Sequence, residues 1–409
     1  MKRVDSIDVL RTLAVIFMVL CHFPVNLSPV TGEYPWIYFF SNHIIGDFAA
    51  SMFLVLVGVS QVLSMSKTGY VPIDAQFWKD RTLKRGALVF VVGLLFSLTM
   101  RGPEAIFEWD ILTLIGVSLI VIRLLGRLPA FGFLLVGLVF IAPTPLLREY
   151  SQYLQHWGNG MEAVPGFGNV LPGLLYDPSG EYLPTWSIRE IIEGLFIEGY
   201  FPIFPWMFFP LAGVFIGKAS FAASKDKAPD TRLHIVLMMV GGFILAIIGT
   251  VMSFAARTKP SLSVINEYIS PFSFYPVTIS MMLLQMGVVL FLFGLLRARY
   301  DFGTRESGWL TYCRRVSRYS LTVYVLHHVV MLWPMWLIGW VAAGPWDQYY
   351  AQAMSEPLAL ALSILLMVLF GPLLGAWDKV NGKFSLEWGL TKAIGTAPAQ
   401  QAAAKSIQP

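Results

Sequence analysis

Two ionisable side chains, Arg11 and His22, stand eleven residues apart in the apolar run SIDVLRTLAVIFMVLCHF. At about 100° per residue, eleven steps make three turns plus about 20°, so both project from one helical face. A rise of about 1.5 Å per residue separates them by about 16 Å along the axis. A cation at one end of such a groove and a titratable imidazole at the other suit a long anionic substrate lying along the helix. The plainer reading is that Arg11 snorkels to lipid phosphates and His22 caps the helix. The next apolar run opens with His43 and Asp47, an i, i+4 pair on one helical face. A carboxylate beside an imidazole fixes its tautomer and stabilises its charged form. Asp110 opens a later run after Glu108 and Trp109, where a charge at a loop edge is equally ordinary. Ser320, Tyr324, His327 and His328 follow helical spacing in a further run. Buried histidines often only bond a neighbouring helix. Adjacent ones point in different directions, so at most one of this pair is expected at a shared site.

The elements that must position these groups are membrane helices. Apolar residues make up 56% of the chain and charged residues 13%, with a mean hydropathy of +0.64; a soluble chain carries roughly 25% charged residues. The charges leave apolar runs near the roughly 20 residues that cross a bilayer. Ten such runs are expected, at about 7–24, 44–65, 86–100, 110–125, 129–143, 202–218, 233–255, 273–296, 317–340 and 357–377. Alternate connections then hold 23 of the 29 Lys and Arg, against Arg101, Arg148, Arg189, Arg257 and Lys259 on the opposite side. The Lys/Arg-rich side is cytoplasmic by the positive-inside rule. The expected fold is therefore all-α, a polytopic integral membrane bundle with both termini inside, in a bacterial-type cytoplasmic membrane. The first run resembles a signal peptide in following Lys2 and Arg3, but it lacks a small-x-small cleavage site and is expected to stay as a span. No basic cluster suggests nucleic acid.

One domain is expected over residues 1–393, with an Ala/Gln/Pro-rich disordered tail at 394–409. The longest outer connection, about 144–201, is rich in acids and aromatics. Loops of this length are often functional covers. Tyr153, Trp157, Tyr176, Tyr182 and Trp186 in it are candidates for stacking on sugar rings, or for an interfacial aromatic belt. Cys21 and Cys313 fall on opposite membrane faces, which excludes a disulfide framework. Zinc spacing, nucleophile elbow, P-loop and GxGxxG unit are all missing from the sequence, and no metal is expected. Cys21 neighbours His22 but points about 100° away from it, as a small packing residue would.

At these same residues the chain resembles the transmembrane acyltransferases, a superfamily that includes the acyltransferase-3 proteins and heparan-α-glucosaminide N-acetyltransferase. SIDVLRTLAVIFMVLCH is similar to that family's opening helix, with its Arg and His eleven apart and Thr12 where a Gly is usual. DFAASMFLVLVGVS, WDILTLIGVSLIV, FPIFPWMFFPLAGVFIG and RYSLTVYVLHHVV are similar to further family segments in the same order, so the likeness spans most of residues 1–335. The bacterial heparan-acetyltransferase-like branch is the nearest in pattern. There an outer His at the start of the second helix is a proposed catalytic residue; the corresponding His43 stands at a different spacing from its Asp.

The resemblance implies transfer of an acyl group, acetyl being the expected one, from cytoplasmic acyl-CoA to a hydroxyl or amine beyond the membrane. The acceptor is expected to be a sugar or glycan. Arg11, with Arg81, Arg85 and Arg318, would hold the CoA phosphates through charge-assisted bonds. His22, His43 and Asp47 would carry the chemistry, with Asp110, Tyr324 and His327 as further candidates. Membrane lipids are the expected surroundings, and a homo-oligomer is left open. The alternative is a transporter of a small organic anion or lipid-linked sugar, with Arg11 as counter-ion and the histidines as a proton relay. A non-catalytic scaffold would not need polar groups gathered at one depth.

Overall fold

The computed structural model describes residues 3–29, 33–68, 80–157, 161–163, 175–178, 182, 186–221, 231–256, 268–302, 306–342 and 354–395. The proposed tail beyond residue 395 lies outside them. Ten helices among the described residues are long and apolar enough to cross a membrane, as expected. They are span 1 (Asp5–Leu27), span 2 (Pro35–Ser66), span 3 (Arg81–Arg101), span 4 (Pro103–Leu124) and span 5 (Ala130–Ser151). Span 6 (Ile188–Phe221), span 7 (Arg232–Ala256), span 8 (Ile279–Tyr300), span 9 (Ser320–Gly339) and span 10 (Glu356–Lys379) complete the set.

Span 1 runs through the middle of the bundle, against spans 2, 8, 9 and 10 and the amphipathic helix Gly308–Arg318. Leu10, Val15 and Val19 are fully buried there with Phe293, Val289 and Met52 from its neighbours. Small residues bring spans 2 and 6 together: a Cβ built on Gly58 would stand 2.1 Å from the Pro210 carbonyl, and one on Gly213 2.1 Å from that of Val55. Side chains cannot occupy either position, so the two backbones touch, a packing mode common between membrane helices. Span 7 packs chiefly on span 8, and its other face shows Leu237, Val240, Phe243, Ile247 and Val251 to the surroundings, as a lipid-facing stripe should.

Spans 2, 3, 4 and 6 start earlier than the apolar pattern indicates, and spans 3 and 6 show why. Asp80 accepts from the Thr82 and Leu83 N–H groups at 2.9 and 3.1 Å and pairs with Arg123 at 2.6 Å. This capping starts span 3 at Arg81, five residues before its apolar run. Span 6 begins at Ile188, continues through a π-helical turn at Gly194–Glu198, breaks at Gly199–Pro202 and resumes at Ile203. The expected 144–201 loop is correspondingly shorter, because Thr144–Ser151 extends span 5. A small sheet spans part of what remains. β1 (Met161–Ala163) pairs antiparallel with β2 (Leu175–Pro178), which pairs parallel with β3 (Phe272–Ser273) just ahead of span 8.

Polar staples hold the Arg11 end of the bundle. Arg314 clasps Asp5 at 2.8 and 3.0 Å, Ser6 bonds Asp301 through its N–H and hydroxyl, and Thr12 donates to the Cys313 carbonyl. Glu387 accepts from the Leu321 and Thr322 N–H groups at 2.8 and 3.0 Å, capping span 9 from a different helix.

Candidate active site

Arg11 and His22 do share one face of span 1, and that face lies along one continuous stretch of chain. Arg11 donates to Ser317 Oγ at 2.9 Å, while His22 Nδ1 lies 3.0 Å from His327 Nε2. An advance of eleven residues on span 1 therefore matches ten on its partner, so the two segments run parallel.

Two of the three imidazoles at this crossing have their proton positions set by the backbone, and the third takes its own from one of them. His327 Nδ1 lies 3.0 Å from the Val323 carbonyl, and His328 Nδ1 lies 3.0 Å from the Tyr324 carbonyl. A carbonyl only accepts, so each Nδ1 carries the hydrogen and each Nε2 of the neutral ring is left with its lone pair. His327 Nε2 can then only accept from His22 Nδ1–H. This assignment, inferred from the bonding pattern, leaves His22 Nε2 as a hydrogen-bond acceptor. Both adjacent histidines thus reach His22, with ring centroids 5.3 Å (His327) and 4.7 Å (His328) away. Of the adjacent pair, His328 lines the chamber described below and His327 is not among its lining residues. Their side chains differ in direction by about 100° at the backbone, yet the rings converge to 3.9 Å between centroids.

His22 and His328 open onto a cavity of about 600 Å³ at this end of the bundle. His43, Asp47, Asp110 and Tyr324 line it as well, so most of the catalytic candidates read from the sequence gather in one chamber. Span 2 delivers His43 through a π-helical turn, Phe40–Gly46, before the α-helix resumes at Asp47; such turns recur at functional sites. Gly46 rests on Cys21, where any Cβ would come within 2.5 Å of the sulfur. Cys21 therefore acts as the small packing residue expected, and neither cysteine is bonded to another.

A second chain of polar contacts runs from there. Cys21 Sγ–H donates to Asn42 Oδ1 at 3.3 Å, Asn42 Nδ2 donates to His43 Nε2 at 3.3 Å, and His43 Nδ1 lies 3.3 Å from Asp47 Oδ2. These contacts place a hydrogen on His43 Nδ1 and occupy its Nε2 as an acceptor. The Asp47 carbonyl is anchored by Gln285 of span 8 at 2.7 Å.

Asp110 caps the helical part of span 4 through the Leu112 N–H at 2.9 Å and takes the Tyr324 hydroxyl at 2.7 and 2.9 Å. Trp109 just before it adopts a left-handed backbone, φ 59°. Its carbonyl and that of Glu108 accept from Phe201 and Tyr200 at 3.0 Å, which ties the break in span 6 to the start of span 4.

Several lining residues were not singled out for the site from the sequence. Arg101, at the end of span 3, pairs with Glu108 at 3.1 Å and lies over the Tyr200 ring at 5.2 Å. Its only sequence signal was a cation closing an apolar run. Tyr275 lines the chamber too, and burial pushes its hydroxyl well up from the ordinary phenol range. The aromatic connection divides between several surroundings. Tyr153, Trp157 and Tyr182 are almost completely buried and pack on one another and on Tyr200 and Tyr275. They form a wall whose edge, Trp157, reaches the chamber; Trp186 stays exposed against Phe107, and Tyr176 belongs to β2.

At the opposite end Arg11 is half-buried, bonded to Ser60 at 2.6 Å as well as to Ser317. Arg85 stands within electrostatic reach of it. Arg81 and Arg85 are exposed on the first turns of span 3, and Arg318 pairs with Asp378 at 2.9 Å. Those four cations share an end of the bundle but do not line the chamber.

The ten apolar helices among the described residues define a multi-pass membrane protein, with a polar, histidine-lined chamber at one end of its bundle. Residues 3–241 match the family described as heparan-alpha-glucosaminide N-acetyltransferase, catalytic. That is more than half of the chain, which belongs to this family of membrane acyltransferases. No curated protein matches it. The match takes in spans 1–6 and the start of span 7; Tyr324, His327 and His328 lie beyond it.

Proposed function

We propose that the protein moves an acetyl group from cytoplasmic acetyl-CoA to a hydroxyl or amine of an extracytoplasmic acceptor, a sugar or glycan, with His22 as general base. The observation that carries the assignment is the backbone-fixed tautomer chain, Val323 carbonyl to His327 to His22, which leaves the His22 Nε2 lone pair available at the chamber. In this reading the acceptor's O–H or N–H gives its proton to His22 Nε2 as its heteroatom attacks the thioester carbonyl. The tetrahedral adduct then expels CoA thiolate, which takes up a proton. His43, occupied at both nitrogens by Asn42 and Asp47, serves with Asp47 to bind and orient the acceptor, as do Asp110 and Tyr324.

Arg11 and Arg85, like charges held near one another, suit the CoA phosphates, with Arg81 and Arg318 beside them. The pantetheine arm then follows span 1 over the roughly 16 Å from Arg11 to His22. The Lys and Arg bias between connections supports both termini on the cytoplasmic side, which puts the chamber on the far side of the bundle.

Purified His22→Gln should lose about 10²–10⁴ in turnover, the usual worth of positioned proton transfer, while keeping acetyl-CoA affinity. Arg11→Ala should show the reverse emphasis, weakened donor binding, and Arg11→Lys should restore it only in part because a point charge lacks the planar fork. Acetyl transfer is measured against donor binding by calorimetry, with size-exclusion profiles as the folding control. Undiminished transfer by His22→Gln removes the base assignment; undiminished donor affinity in Arg11→Ala removes the phosphate assignment.

A further inference from the structure

The nitrogens that His22, His327 and His328 can each offer to an ion all lie within 4.8 Å of one another. Two of the three rings are prepared as ligands. Nδ1 of His327 and of His328 donates to a carbonyl one turn back, the second contact that holds a metal-binding imidazole in its correct tautomer and orientation. Each Nε2 thereby keeps its lone pair on the side away from the backbone; that of His327 accepts from His22 Nδ1–H at 3.0 Å, the hydrogen an ion would replace. We propose that these three side chains form a site for a divalent transition-metal ion of the zinc, cobalt or nickel kind, with its fourth position open to the chamber.

Zinc–nitrogen bonds of about 2.0–2.1 Å in a tetrahedral site put ligand nitrogens roughly 3.3 Å apart. The His22–His327 pair is already near that spacing, and the widest separation must close by roughly 1.5 Å through ring rotation. Three imidazoles and no carboxylate favour nitrogen-seeking ions over magnesium or calcium, which need oxygen ligands. His22 and His328 both line the chamber, so an ion and its bound water have a way in. The chain spacing gives no hint of the site, since 305 residues separate His22 from His327.

One consequence rests on the general-base reading above. Coordination through Nδ1 displaces the His22 hydrogen to Nε2, with no net proton released from the neutral ring. The lone pair assigned to the acceptor's proton is then gone, so the bound ion inhibits acetyl transfer.

The test uses the full chain in detergent. Cobalt(II) absorption and zinc calorimetry should show one ion per chain in tetrahedral, nitrogen-rich coordination, and X-ray absorption of the zinc form should show imidazole scattering. His327→Gln and His328→Gln should each weaken binding beyond the roughly 10–100-fold that losing a supporting contact costs, whereas His234→Gln on span 7 should bind as the wild type does. Failure of the wild-type protein to bind an ion, oxygen-only coordination, or undiminished binding in the double variant overturns the site. If the variants do not fold, X-ray absorption on the wild type decides alone. Zinc should also suppress transfer, and a chelator should restore it. Binding by all three imidazoles without inhibition leaves the metal site standing and overturns the assignment of His22 Nε2 as base.

Discussion

Removing one oxygen atom from Tyr324 tests how the chamber is braced. The Tyr324 hydroxyl meets both oxygens of Asp110, at 2.7 and 2.9 Å, but it has one hydrogen to give, so this is one shared bond to a carboxylate. Hydrogen bonds to charged groups contribute about 1.5–3 kcal/mol. Asp110 keeps its Leu112 cap at 2.9 Å and faces the chamber, where water can replace part of what Tyr324→Phe removes. The low end, about 1.5 kcal/mol, is therefore expected. Asp110→Asn retains an acceptor for both partners and should cost less, about 1 kcal/mol. Asp110→Ala removes the cap, worth about 0.5–2 kcal/mol, and strands a buried tyrosine hydroxyl, for a total of about 2–5 kcal/mol. The two groups share a partner, so the double variant Asp110→Ala/Tyr324→Phe should be more stable than the sum of the single losses predicts, by about 1–3 kcal/mol. Unfolding in detergent micelles, followed by tryptophan fluorescence, gives the four stabilities. Losses that add to within about 0.5 kcal/mol would refute the brace and reduce the contact to coincidence of packing.

Orientation and acid sensitivity give two more tests. Single cysteines replacing Glu33, Gly180 and Tyr350 should label from outside intact cells, and those replacing Ala75, Lys225 and Arg305 only after permeabilisation; all but Glu33 lie outside the described residues. Cytoplasmic labelling at 180 would invert the proposed orientation. For Asp80, burial pushes the carboxyl up, but the Arg123 hydrogen bond, the Leu83 and Thr82 N–H groups and the Arg123 charge outweigh it and hold it below the usual range. A depressed folded-state pKa contributes stability above the unfolded value, about 3.9, that is lost as pH falls through the folded value. Asp80→Asn should therefore cost about 1–3 kcal/mol at neutral pH, and the gap to wild type should shrink below about pH 4. A gap constant from neutral to pH 3 would show that the Arg123 pair contributes nothing.

The span count was legible because bilayer crossing imposes a length and an apolar content that no other element needs. The starts of spans 3 and 6 were not, because hydropathy marks where a helix is greasy and capping marks where it begins. Asp80 starts span 3 ahead of the grease. In span 6, Glu190, Glu193 and Glu198 sit on helical and π-helical turns that read as loop, and Gly199 and Pro202 then break the backbone. The aromatic stretch before it misled in another way. Tyr and Trp serve equally at lipid interfaces, on sugar rings and in cores, and only the tertiary packing of Trp157 on Tyr153, Tyr182, Tyr200 and Tyr275 selects the last.

The chamber was legible wherever a relation was local. Periodicity alone put Arg11 and His22 on one face, and the i, i+4 rule put His43 beside Asp47 even though a π-helical turn precedes the aspartate. Relations between distant spans could be guessed only as depth: groups at the same level of the bilayer have a chance to meet, but level does not say which nitrogen faces which. That information lies in the backbone carbonyls of Val323 and Tyr324, which every helix possesses and no sequence pattern advertises. They turn two adjacent histidines into acceptors aimed at a third. Where the chain places a double histidine one turn after a tyrosine on a buried face, the first question is what its two Nε2 atoms are offered to. Here one accepts from His22 Nδ1–H, and the proposed base and the proposed metal site differ in whether that proton or an ion lies between the two rings.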